Sequence, residues 1–288
     1  QILARENWNY DTPAMQTFLE RWVDPELYRN VKGNDWQDQI FGQALMTNHN
    51  VSLSGGTENI TYYLSGTHLD QEGIISPEKS NYKRDNIKLN LGVDVNKRLK
   101  TTLNLNYFSN ERKSINESGL GSVLFNAISY SPLFDLDQED LNGLFGNEII
   151  NPLSQIRDTY NSYSGSSIEG NFQLDYKLTD ALKVTSRVGF KTYSDNGKTF
   201  SPIVNYGAGK VFNTTRSTVS QSRNKYDSYT WDSFATYKKL FADNHNVEAT
   251  VGMTVVKNWG NGLSATGYDV PYYAWDFADI SQATGLGT

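Results

Sequence analysis

The chain has 288 residues, enough for one or two domains with a sizeable core. Only 38% of its residues are hydrophobic, which is low for a soluble globule, although aromatic residues make up 13%. The net charge of −6 argues against a nucleic-acid-binding surface, and the absence of cysteine excludes disulfides, thiolate metal sites and thiol chemistry.

The first predicted element is a short helix near the amino terminus. Thr12 can cap it, and Pro13 suits its first position. The apolar residues that follow recur at helical spacing: Met15, Phe18, Leu19 and Trp22. We interpret this helix as part of an outer loop over residues 1–47. Because the chain starts with neither an initiator Met nor a signal peptide, we expect it to be an internal piece of a longer protein.

Residues 48–73 carry the pattern of a β-hairpin. Val51 and Leu53 alternate with serines before Gly55 and Gly56, which we expect to form the turn. From Ile60 onward, apolar and polar residues alternate again. The hairpin is therefore predicted to have one apolar face and one small, polar face.

Six further strands are predicted from the same alternation, which is strictest from Ile87 to Val95. They cover residues 87–95, 102–107, 171–178, 182–191, 229–237 and 247–255. Short turns near residues 55, 97, 180 and 244 alternate with long loops over about residues 74–83, 110–166, 195–222 and 259–288. We therefore place eight strands in residues 48–258 and a final outer loop in residues 259–288.

This alternation of turn lengths is typical of outer-membrane β-barrels, which have short periplasmic turns and long outer loops. Strands of about ten residues suit a tilted crossing of the bilayer. Aromatic residues near the strand ends are predicted to form an interfacial belt: Tyr107, Phe108, Tyr193, Tyr226, Tyr237 and Phe241. The alternative is a soluble antiparallel sheet with one solvated face.

The polar face carries too many charges for the narrow interior of an eight-stranded barrel. The charged residues are Lys88, Asp94, Asp175, Lys177, Lys183, Arg187 and Glu248. We therefore predict an all-β fold, an antiparallel segment of a larger transmembrane barrel of ~22 strands, and not a closed barrel.

The sequence offers few candidates for catalysis or metal binding. His49, His68 and His245 lie outside any zinc motif, and no nucleophile elbow or phosphate loop occurs. An acidic run resembles the start of an EF-hand loop: Asp135, Asp137, Glu139 and Asp140. It lacks the Gly at position six and the Glu at position twelve, so we interpret it as a solvated acidic loop. We predict no catalytic residue, no metal, no cofactor and no enzymatic activity.

Aromatic residues after the last predicted strand are the candidates for substrate binding: Tyr268, Tyr272, Tyr273 and Trp275. They lie beside Asp269 and Asp276, and rings next to carboxylates can hold sugars or peptides by stacking and hydrogen bonding. The alternative is that these rings pack loop against loop.

Several motifs occur in a fixed order. They are Asp-Trp-Gln-Asp-Gln-Ile-Phe at residues 35–41, Asn-His-Asn at 48–50, Ser-Gly-Gly at 54–56, Tyr-Tyr at 62–63, Leu-Asp-Gln-Glu-Gly at 69–73 and Asn-Pro-Leu-Ser-Gln-Ile at 151–156. In this order they resemble the barrel of the SusC/RagA-like TonB-dependent transporters. The resemblance implies an outer-membrane protein of a Gram-negative, Bacteroidota-like cell that imports an oligosaccharide or an oligopeptide.

The resemblance also implies partners. They are a SusD-like substrate-binding lipoprotein at the cell surface, the TonB energy-transducing protein, and outer-membrane lipid. TonB would act through a region that is not in this chain, since we expect the plug domain and the closing strands to be absent. The alternatives are a passive porin, a surface adhesin barrel, or a barrel hydrolase with its site on the outer rim.

Overall fold

Eight antiparallel strands form one sheet in the computed structural model, which describes residues 30, 32–143, 146–242, 244–271, 275–285 and 287. The strands are β1 Met46–Gly56, β2 Ile60–Glu72, β3 Asn81–Asn96, β4 Leu99–Lys113, β5 Tyr160–Lys177, β6 Leu182–Ser201, β7 Thr218–Phe241 and β8 His245–Tyr268. Each strand pairs with the next one along the chain. The predicted helix over residues 12–22 lies outside the described residues.

The sheet is open. Within the described residues β1 pairs only with β2 and β8 only with β7, so no ladder joins the strand of Val51 to the strand of Val251. The prediction that the chain is a segment and not a closed barrel is therefore confirmed. Consecutive antiparallel pairing also places all the long loops at one end of the sheet and all the short turns at the other, as predicted.

The strands are longer than the alternation predicts, and they grow toward the long loops. β7 has 24 residues, of which the sequence predicted only residues 229–237. Residues 218–228 of this strand are mostly polar on both faces, so no alternation marks them. About ten residues suffice to cross the hydrocarbon layer. The polar extensions of the strands therefore lie outside the hydrocarbon layer, and they shorten the loops that follow them.

The turn expected at Gly55 and Gly56 is wrong. Both glycines belong to β1, where they pair with Tyr62 and Thr61, and the turn lies at residues 57–59. Neither has a positive φ. A Cβ at Gly55 would lie 2.5 Å from the Tyr62 hydroxyl, so the glycine makes room for the aromatic side chain that crosses β1.

One face of the sheet is apolar across all eight strands. The register aligns two neighbouring rows of side chains from strand to strand: Leu53, Leu64, Leu89, Leu105, Phe190 and Tyr229, then Tyr62, Leu91, Leu103, Phe172, Val188, Trp231 and Val255. Val51 and Val251 are each 75% exposed. An apolar face of this extent is the lipid-facing surface of a membrane barrel.

The aromatic residues near the strand ends do not all lie on this apolar face. By alternation, Tyr107 and Tyr237 do, in register with Ile87 and Leu182. Phe108, Tyr193 and Tyr226 lie on the opposite, polar face. The predicted belt is therefore wrong for these three residues, because adjacent strand residues point to opposite faces.

The long loops have a core of their own. Its helices are α1 Trp36–Ile40, α2 Val123–Ser129 and α3 Pro152–Asp158, which begin at the capping side chains of Asp35, Ser122 and Asn151. Trp36 is buried, donates from Nε1 to the Ser131 carbonyl oxygen at 2.8 Å, and packs edge-on against Tyr130. In the described residues no helix is both long and apolar enough to cross a membrane.

Candidate functional site

The polar face of the sheet carries rows of hydrogen-bonded amide and charged side chains. Asn104 Nδ2 donates to Asn171 Oδ1 at 3.1 Å, and Asn106 Nδ2 donates to Glu169 Oε1 at 3.3 Å. Lys191 Nζ lies 3.5 Å from the other oxygen of Glu169. Together with Lys88 and Asn90, these side chains line a shallow depression of about 380 Å³. The depression offers donors and acceptors to a polar ligand or to water.

A second group of charges lies nearer the short turns. Arg187 donates to Asp232 Oδ2 from Nε at 3.1 Å and from Nη2 at 2.7 Å, while Thr254 donates to Asp232 Oδ1. Arg187 stays 47% exposed. Ion pairs this exposed contribute only about 0–1 kcal/mol to stability, so they do not explain why the face is charged. A water-filled lumen does explain it, because charges there keep their hydration.

Toward the long loops the same face becomes aromatic. Phe108, Tyr163, Tyr193 and Tyr226 form what we call the polar-face aromatic patch. Tyr193 and Tyr226 stand directly opposite each other across β6 and β7, and the hydroxyls of Tyr163 and Tyr193 are hydrogen-bonded. Small residues between these rings, such as Gly165, leave room for them.

Cations accompany the aromatic patch. The Arg84 guanidinium lies 5.7 Å from the centre of the Phe108 ring, and the Arg112 guanidinium lies 5.6 Å from the centre of the Tyr163 ring. Tyr226 is 44% exposed. Aromatic rings beside charged and amide groups can bind sugars or peptides by stacking and hydrogen bonding.

The structure does not bring the predicted substrate-binding residues together. Tyr272 and Tyr273 lie outside the described residues. Trp275 stacks on Tyr160, with ring centres 5.8 Å apart and planes 11° apart, on the apolar face. Tyr268 ends β8 on the opposite face, with the Arg216 guanidinium 4.7 Å from its ring centre. A substrate role for these residues stays a prediction.

The ion pair beside Tyr268 is well formed. Arg216 donates to both carboxylate oxygens of Asp269, at 3.0 and 2.7 Å. The hydrogen bonds from Arg216 lower the pKa of the Asp269 carboxyl, against a smaller opposing effect of burial. Asp269 therefore stays ionised and holds the guanidinium against the ring of Tyr268.

The acidic run after Asp135 is not a solvated loop throughout, which corrects the sequence interpretation. Asp140 is buried and accepts from Lys210 Nζ at 2.7 Å. Glu139 is half-buried, and burial raises the pKa of its carboxyl despite a hydrogen bond from Ser154. No group of three or more potential metal ligands occurs within the described parts of the chain.

Comparison with known proteins points to one kind of receptor, although no family model matches the chain. TonB-dependent receptor P3 of Formosa agariphila is 26% identical over 260 residues, which are 87% of this chain and 25% of the receptor. TonB-dependent receptor SusC of Bacteroides thetaiotaomicron is 31% identical over 99 residues, which are 34% of this chain and 9% of SusC. The chain spans about a quarter of the length of the first curated relatives.

A solved structure of the RagAB peptide transporter matches with a TM-score of 0.75 and 18% identity, covering 97% of this chain and 34% of that one. At this identity the likeness shows a shared fold. In its ordered motifs, its curated relatives and its open antiparallel sheet, the chain is similar to part of the outer-membrane β-barrel of SusC/RagA-like TonB-dependent receptors.

Proposed function

We propose that the chain forms part of the wall of a TonB-energised importer that takes up an oligosaccharide or an oligopeptide through the outer membrane. The observation that carries this proposal is that the two faces of the same strands differ in polarity. One face is apolar from β1 to β8, while the other carries hydrogen-bonded amides, ion pairs and the aromatic patch. A wall of this kind suits a polar solute passing through a lipid bilayer.

The polar-face aromatic patch is the proposed contact with the substrate. It lies near the ends of the strands that carry the long loops, where a solute enters from outside the cell. Its rings and guanidinium groups can stack on sugar rings or peptide side chains, and Asn110 and Asn224 on the same face offer amides.

The names of similar proteins support this function. The curated relatives are TonB-dependent receptors, and the solved structure is of a protein named a peptide transporter. These names are of receptors and transporters and not of enzymes, which supports a non-enzymatic role. By the same analogy we propose a SusD-like surface lipoprotein as the partner that delivers substrate, and TonB as the source of energy.

The test is uptake of labelled oligosaccharides and oligopeptides by cells that carry the receptor, with and without TonB. We expect uptake to require TonB, and Tyr193→Ala with Tyr226→Ala to lower it about 3–10-fold through lost stacking. The matched control is Tyr107→Ala with Tyr237→Ala on the apolar face, at equal receptor abundance. Uptake that does not depend on TonB would point to passive diffusion and contradict the proposal.

A further inference from the structure

A second depression, lined by polar, charged and apolar side chains, lies on the outward face of the sheet toward the long loops. Ile168 is the last aliphatic residue of this face on β5, and it lies in register with Tyr107 on β4. Toward the long loops, the next residues of this face on β5 are Ser166, Ser164 and Ser162, and the register aligns Ser164 with Asn196 on β6. Two residues advance a strand by ~6.6 Å, so Ser164 lies ~13 Å along the strand beyond Ile168.

The depression has a volume of about 400 Å³. Its lining includes two serines, an asparagine and two cations together with three apolar residues: Ser162, Ser164, Asn196, Lys198, Arg223, Leu263, Ala265 and Ile280. Because adjacent strand residues point to opposite faces, these side chains point away from the polar-face aromatic patch. A solute inside the barrel therefore does not reach them.

Two cations are left facing this depression. Arg223 is exposed, and its guanidinium makes no ion pair with any residue that the structure describes. Lys198 Nζ lies 4.3 Å from the ring centre of Trp275 and 3.4 Å from its carbonyl oxygen, which leaves ammonium protons for a ligand. Of the nearby acids, Asp227 pairs with Lys225 at 3.4 Å, while Asp279 accepts from Gln221 at 2.8 Å and is also stabilised by the charge of Lys198. Arg223 is therefore the cation of this depression that has no acidic partner in the described structure.

The ligand that suits these groups is a phosphorylated sugar. An arginine guanidinium can donate two parallel hydrogen bonds to one phosphate, and a lysine ammonium adds a positive charge. Serine hydroxyls and asparagine amides can hydrogen-bond to sugar hydroxyls. With strands tilted by ~45°, the depression stands ~9 Å above the apolar rows, at the level of the lipid head groups. We propose that it binds the phosphorylated sugar headgroup of outer-leaflet lipopolysaccharide.

This inference rests on the outer-membrane location and not on the proposed import. Its test uses the receptor purified from outer membranes, stripped of lipid and then offered lipopolysaccharide, with binding counted by native mass spectrometry. Lys198→Gln with Arg223→Gln should lower binding about tenfold, the loss expected for charge-assisted hydrogen bonds. Arg223→Lys alone should lose only part of the lipopolysaccharide binding, since lysine keeps the positive charge but cannot form bidentate hydrogen bonds.

The matched control is Lys88→Gln with Lys191→Gln, which removes the same charge from the opposite face and should leave lipopolysaccharide binding unchanged. Lipopolysaccharide whose phosphates have been removed should bind the unaltered receptor about tenfold more weakly, and inorganic phosphate should compete only weakly. The proposal is overturned if lipopolysaccharide binds equally well with and without its phosphates, or if the two double variants lose lipopolysaccharide binding equally. It is also overturned if inorganic phosphate, an adventitious ion only, occupies the site as readily as the lipid does. Heat-dependent gel migration verifies that each variant forms its barrel, independently of uptake.

Discussion

At the scale of single residues, the buried ion pair between Lys210 and Asp140 joins the two largest loops. Lys210 Nζ lies 2.7 Å from Asp140 Oδ2 and also donates to the Gly146 carbonyl oxygen at 3.2 Å. The two side chains are 0% and 1% exposed. A buried pair of this kind is a weak source of net stability, yet removal of one partner leaves the other charge buried without its counter-ion, which is costly.

We expect Lys210→Met to weaken the docking of residues 202–217 on residues 114–159 by about 3–5 kcal/mol. Hydrogen exchange of these loops in the purified receptor measures the loss. The double change Lys210→Met with Asp140→Leu should cost clearly less, because no charge stays buried alone. Additive losses in the double variant would show that the two side chains do not act as a pair.

Gly207 is a second point where the same loops meet. Its φ is 130°, and a Cβ there would overlap the Asp140 carbonyl oxygen. Gly207→Ala should therefore weaken loop docking by about 1–3 kcal/mol, in the same exchange measurement. Gly119 is the matched control, since its φ is 97° but nothing lies within 4 Å of its Cβ position. If Gly119→Ala has an equal effect, backbone strain and not the overlap is responsible.

Glu139 makes the stability of the folded loops depend on pH. Burial raises the pKa of its carboxyl, and one carboxylate oxygen is buried without a hydrogen-bond partner in the described structure. The folded loop therefore binds this proton more tightly than the unfolded chain does. The stability contributed by Glu139 is present at low pH and lost as the pH rises through the folded pKa.

Glu139→Gln should accordingly slow hydrogen exchange of residues 152–158 at pH 7 relative to the unaltered receptor, while the difference should vanish in acid. Asp137→Asn is the control, because Asp137 is exposed and one charge is removed in both cases. Faster exchange in Glu139→Gln at pH 7 would mean that its hydrogen bonds outweigh burial of the charge.

At the scale of elements, alternation revealed each strand only where the two faces meet different surroundings. Ile87 to Val95 lie between lipid and lumen, so their pattern is strict and was read correctly. Beyond the bilayer both faces are wet, and residues such as Ser220 and Gln221 carry no alternating signal. The strand extensions were therefore not predictable from hydrophobicity, and pairing with neighbouring strands determines them.

The polar-face aromatic patch was within reach of the sequence but was missed. Alternation continues from Arg187 through Gly189 and Lys191 to Tyr193, so a simple count places Tyr193 on the polar face. Tyr193 was instead assigned to the interfacial aromatic belt of the membrane, because it lies near a predicted strand end. The partners of Trp275 were beyond sequence reasoning, because its stacking on Tyr160 joins residues far apart in the chain.

The opposite side-chain directions of neighbouring residues on β3 provide the sharpest test of which face of the sheet meets lipid. Leu91 lies in an apolar row between Tyr62 and Leu103, whereas Asn90 lies in a polar row between Tyr63 and Asn104. Leu91→Arg should destabilise the receptor in bilayers by about 2–4 kcal/mol, while Asn90→Arg should change little, since its side chain stays in water. Equilibrium unfolding in lipid vesicles measures the difference.

Single cysteines at the same two positions of β3 test the direction of each side chain without adding a charge. A lipid-dissolved reagent should label position 91, and a water-soluble one should label position 90. A soluble sheet with Leu91 in its core would also reject arginine, but it would protect position 91 from the lipid reagent. Equal labelling of both positions by the water-soluble reagent would contradict the membrane facing.

At the scale of the whole molecule, the open sheet needs further strands beside β1 and β8. Each of these strands pairs on one side only in the described structure. A free strand edge in hydrocarbon leaves backbone N–H and C=O groups without partners, at several kcal/mol each, so membrane barrels close. Direct pairing of β1 with β8 would instead close a ring of eight strands, too narrow for the charged side chains of Lys88, Asp175 and Arg187.

We therefore expect other strands to separate β1 from β8 in the receptor of native outer membranes. Cysteines at Val51 and Val251 should not form a disulfide under mild oxidation, because the two edges lie apart across a large barrel. Cysteines at Leu53 and Leu64 are the positive control, since these residues stand directly opposite each other in the β1–β2 ladder, where a disulfide can form. If the first pair cross-linked as fully as the second, β1 and β8 would be neighbours and the lumen would be too narrow for any oligomeric substrate.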